Sequence, residues 1–173
     1  MSGRRASDPR TAKVIQLYST PGGAQTPLLS LNGLREGVAD ALTGTAGYLR
    51  ERLAGEYEVD DFGFDPHFTE NVWFPAIRPV YEKWFRVEVS GVENLPVEGG
   101  ALLVANHAGS IPIDALMTSI AVHDNHPTGR YLRVLAADMA FDSPIIGETA
   151  RRIGATLACT SDAEYLLKAG ELT

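Results

Sequence analysis

Apolar and polar positions change period several times along the chain, and each change marks an element. From about Ser30 to Leu53, apolar residues recur at Leu34, Val38, Ala41, Leu42, Tyr48, Leu49 and Leu53. That spacing predicts an amphipathic helix, weakened by Gly37, Gly44 and Gly47 and stopped at Gly55. Asp65-Pro66 then reads as a cap followed by a first-turn proline, opening a helix that carries Phe68, Trp73, Phe74, Tyr81, Trp84 and Phe85. Pro75 and Pro79 are expected to break or kink it. Phe85, Val87 and Val89 alternate with Arg86, Glu88 and Ser90, the period of a half-exposed strand. Ala101–Ala105 reads as a short buried strand between Gly99-Gly100 and a turn.

Further on, Ala115 to Val122 reads as a helix ending near His123, and 131–137 as another strand. Ser143-Pro144 opens a helix to about Arg152, and Ala155–Ala158 is a short strand. Ser161-Asp-Ala-Glu164 has the form of a capping box for a last helix closed by Gly170. Strands alternating with helices predict an α/β fold with a largely parallel sheet and flanking helices, preceded by an N-terminal helical segment. The expected division is a flexible tail at 1–26, a helical and possible membrane-associating segment at 27–84, and an α/β region at 85–173. The aromatics of the 66–85 helix suit either a lipid boundary or the core beneath the sheet, and the pattern leaves both open.

Composition narrows the function classes. A net charge of −7 over 173 residues argues against nucleic acid as a partner, which would need a basic face. The single cysteine, Cys159, forms no internal disulfide and reads as a small buried residue. Glu56 to Asp65 is rich in Asp and Glu but lacks a Ca²⁺-loop pattern, so it reads as a solvated connector. His123, Asp124 and His126 lack a third ligand at sensible spacing, and no metal is expected. No apolar run approaches the length of a membrane span, which leads to the expectation of a cytoplasmic protein lying at most on a membrane surface.

The candidate chemistry sits where the Ala101–Ala105 strand stops. His107 follows the strand, Gly109, Ser110 and Pro112 form a turn, and Asp114 falls where the next helix begins, with Ser110 as the expected cap. In one helix His107 and Asp114 would lie about 10.5 Å apart along the axis. In one strand they would be roughly 23 Å apart. Gly109 and Pro112 exclude both forms and let the chain fold back, so a direct contact becomes possible. A carboxylate on one ring nitrogen would leave the other free as a general base. Strand ends of this kind line the ligand crevices of open α/β sheets. A histidine bonded to a backbone carbonyl and an ordinary first-turn aspartate would give the same spacing.

Val104-Ala-Asn106-His107, the Gly/Pro turn and Asp114 resemble the first motif of the PlsC-like glycerolipid and lysophospholipid acyltransferase superfamily. Most members carry four residues between His and Asp. The six found here resemble the diacylglycerol-acyltransferase-like branch. Phe85-Arg-Val-Glu-Val-Ser-Gly91-Val-Glu-Asn-Leu-Pro96 is similar to the strand and turn that precede the motif, and the likeness runs from roughly Tyr57 to the end. It implies an O-acyltransferase, with His107 and Asp114 catalytic and Asn106, Gly109, Ser110 and Pro112 shaping the loop or touching substrate. The implied partners are an acyl-CoA or acyl carrier protein co-substrate, a lipid acceptor and a peripheral membrane surface, with no bound cofactor. The family's later Glu-Gly motif has no counterpart in these residues, so the resemblance implies an α/β region incomplete at its C-terminus and inactive alone. An acyl-thioester or ester hydrolase and an inactive membrane-binding fragment are the alternatives.

Overall fold

The computed structural model describes residues 16–19, 49–50, 52–53, 57–107, 109 and 112–173. The predicted helix at 30–53 lies outside them except for residues 49–50 and 52–53, which are helical. So does most of the predicted tail at 1–26. Within that tail, however, Gln16–Ser19 form a strand, β1, which pairs antiparallel with β2, Val87–Ser90, in the register Leu17 to Val89. The expectation of a mobile tail therefore gives way at these four residues. The register also sets Tyr18 opposite Glu88.

The acidic stretch before Pro66 is structural rather than merely solvated. Asp60 accepts the amides of Phe62 and Phe64 through Oδ1, and its Oδ2 lies 2.6 Å from Arg133. Asp65 is fully buried, caps the next helix by accepting from Phe68 N at 2.8 Å, and pairs with Arg52 at 2.6 Å.

That helix, α1, runs through residues 66–85 without a break. Pro66–Phe68 and Phe74–Pro79 are α-helical, whereas Thr69–Trp73 and Val80–Phe85 are wider π turns. A proline lacks the amide that the α register requires, and a π turn shifts the register by one residue where that bond is lost. The prolines thus widen the helix where an interruption was expected. Arg86, at φ 48°, ends it in the left-handed region and turns the chain into β2.

The α1 aromatics divide by face. Phe74 and Tyr81 are buried with Met117, Ile120 and Ala121 of the next helix, α2 (Ile113–Asn125), while Trp84 stays 63% exposed. On its other side α2 sends Val122 against Leu95, Leu132 and Leu172. Burial of each large side chain here contributes roughly 1.5–3 kcal/mol as an upper estimate. Helix α2 is thus packed on two sides, which holds its first turn in place.

The parallel sheet is built from short pieces in the order 101–103, 171–173, 132–136 and 156–158. Ala101 and Leu103 donate to Glu171 and Thr173, and Arg133 N donates to Leu172 O. β3 (Leu135–Ala136) pairs parallel with β4 (Thr156–Leu157), extended by Ala158 N to Ala136 O at 2.8 Å. Gly100 is obligatory for this layer: a Cβ there would sit 2.2 Å from Leu167 O. Helices α3 (Pro144–Arg152) and α4 (Thr160–Lys168) complete the α/β arrangement. The Ser161 capping box does not form, because the helix begins two residues earlier, at Thr160, with Cys159 at the cap position. Cys159 is exposed there, against the expectation of a buried residue.

The strand at 101–105 is shorter and less buried than expected. Leu102 and Val104 are exposed while Ala101 and Leu103 face α2, so one face of the strand is uncovered among the described residues.

Candidate functional site

Where the 101–103 strand leaves the sheet, the chain continues extended to His107. Its ring reaches back to the start of α2. His107 Nδ1 lies 3.0 Å from Asp114 Oδ2 and 3.2 Å from Oδ1. A carboxylate only accepts, so Nδ1 is the donor, and in the neutral ring this tautomer leaves the lone pair on Nε2. The histidine side chain is 59% exposed and the aspartate 28%. The pair therefore sits at the rim of the sheet's carboxyl edge, open to an incoming molecule.

Two local features close the seven-residue span. Gly109 has φ 142°, in the positive region that side chains rarely adopt, and a Cβ there would meet nothing within 4 Å. Its glycine is thus required by the backbone turn and not by crowding. Pro112 occupies the cap position of α2 itself, at φ −80° and ψ 50°, with no side-chain cap bond. The sequence expectation had placed it inside the first turn, behind a Ser110 cap. Ser110 lies outside the described residues. Asp114 then falls in the first turn, where the positive end of the helix dipole faces its carboxylate. Asn106 is exposed and makes no side-chain hydrogen bond among the described residues.

One residue near the dyad was not singled out by sequence reasoning. Thr118 lies one turn along α2 from Asp114, and its Oγ1 donates to the Asp114 carbonyl at 2.7 Å. The i,i+4 spacing was the available signal. A groove passes beside it, lined by β2, the 101–105 strand and α2.

The other histidine cluster is structural. His123 packs its ring on Phe74 and Tyr131, with centroids 5.0 Å apart in each case, and lies 3.6 Å from Glu70. Tyr131 donates its hydroxyl to the same Glu70. Burial, then that hydrogen bond and the Glu70 charge, push the Tyr131 hydroxyl well above its ordinary value. Among the described residues no three His, Cys, Asp or Glu side chains converge as metal ligands, and no helix is long and apolar enough to cross a membrane.

Comparison with known proteins bears on this arrangement. The family model described as Acyltransferase matches residues 86–172, which contain β2, the dyad and all of the parallel sheet but Thr173. Uncharacterized protein Rv0502 of Mycobacterium tuberculosis is 52% identical over 98% of this chain and 48% of its own length. Uncharacterized protein ML2427 of Mycobacterium leprae is 60% identical over 79% of this chain and 37% of its own length. The chain thus spans about half or less of the length of these relatives. No solved structure matches it. On the strength of the matched residues, the chain belongs to the acyltransferase family.

Proposed function

We propose that the protein is an O-acyltransferase that moves a fatty acyl group from acyl-CoA or acyl carrier protein to the hydroxyl of a lysophospholipid or other glycerolipid, a step of phospholipid biosynthesis. The observation that carries this reading is the 3.0 Å contact between His107 and Asp114 within the matched family region. His107 Nε2 takes the proton from the acceptor hydroxyl as its oxygen attacks the thioester carbon. The C–O bond forms, the C–S bond breaks as the tetrahedral intermediate collapses, and the leaving sulfur takes the proton from His107 Nε2 to depart as the thiol. Asp114 keeps the ring in the tautomer with Nδ1 protonated and stabilises the imidazolium between the two steps. No acyl-enzyme is required. The acceptor is a lipid, so the protein works against a membrane surface, peripheral to its inner face in the cytoplasm.

Acyl-thioester turnover by a protein extended beyond Thr173, with a panel of lysolipids and beside His107→Ala, tests the proposal. Ester formation that depends on both the acceptor and His107 supports it. Thiol release that is independent of any lipid acceptor would assign a hydrolase instead. Wild-type transfer by His107→Ala would remove the base.

A further inference from the structure

We draw no further inference here: the strongest candidate, the exposed apolar surface patch at the start of α3 (Met139, Ile145 and Ile146), carries nothing because nothing in the structure shows what covers it.

Discussion

His107 and Asp114 are seven residues apart in sequence, yet Nδ1 and Oδ2 stand 3.0 Å apart at the rim of the sheet. The two side chains come from different elements: one from the end of a strand, the other from the first turn of α2. The histidine is mostly exposed, and the aspartate stands in the first turn of α2 with 28% of its side chain accessible. Activity and stability should therefore separate cleanly here. His107→Ala and Asp114→Asn are each expected to lower turnover by roughly 10²–10⁴-fold. Both should leave stability within about 0.5 kcal/mol of wild type. A loss of activity that tracks a falling melting temperature would give the pair a structural role instead.

The turn that joins them depends on Gly109. At φ 142°, an alanine costs of order 1–3 kcal/mol in the local backbone. Gly109 is exposed, so the strain is relieved by local movement of the backbone rather than by unfolding the domain. A displacement near 1 Å at a reacting group can cost about 10²-fold in rate. Gly109→Ala should therefore lose activity on that scale with little change in melting temperature. Near-normal turnover in this variant would show that the six-residue spacer tolerates another path.

The α1 aromatics call for a different comparison. Phe74 is buried against α2, whereas Trp84, ten residues further along α1, stands 63% exposed. Phe74→Ala should cost roughly 3–5 kcal/mol by opening a cavity between α1 and α2. Trp84→Ala should stay within about 0.5 kcal/mol in solution. Denaturant melts of the two variants decide it. Equal and small losses would mean that α1 does not pack on α2 as described.

What could be read from the chain follows from how local each cause is. Asp65-Pro66 and Ser143-Pro144 open helices through neighbours in sequence, and both starts appear where expected. Strands at 87–90, 132–136 and 156–158 follow from short apolar runs between turn residues. The dyad was legible for the same reason, because its spacer is only six residues. The misread features have distant partners. Asp60 belongs to Arg133, 73 positions away, and β1 is a strand only because β2 lies beside it. The π turns of α1 arise from two prolines acting within a helix that α2 holds together, which no local propensity reports. The groove beside the dyad is assembled from three elements, and nothing in any one of them announces it.

The Glu70–Tyr131 contact predicts how the fold responds to alkali. Tyr131 is held neutral by burial and by donation to Glu70, so its folded value lies above the ordinary 10.0. Tyr81 is raised as well, by burial first and then by the Asp124 charge. A group raised on folding contributes stability that is fully present below its unfolded value and is lost as pH climbs from there toward the folded one. Stability should thus be flat around neutral pH with respect to these tyrosines and decline above about pH 10, where the unfolded phenol ionises and the folded one does not. Each such group can contribute at most about 1.4 kcal/mol per pH unit to the slope. Tyr131→Phe keeps the ring against Phe64 and His123 but removes the titrating hydroxyl. Urea melts across this alkaline range should show a shallower decline for the variant than for wild type. Parallel declines would mean that Tyr131 is already ionised in the fold or is not held by Glu70, and the description of that contact would fail.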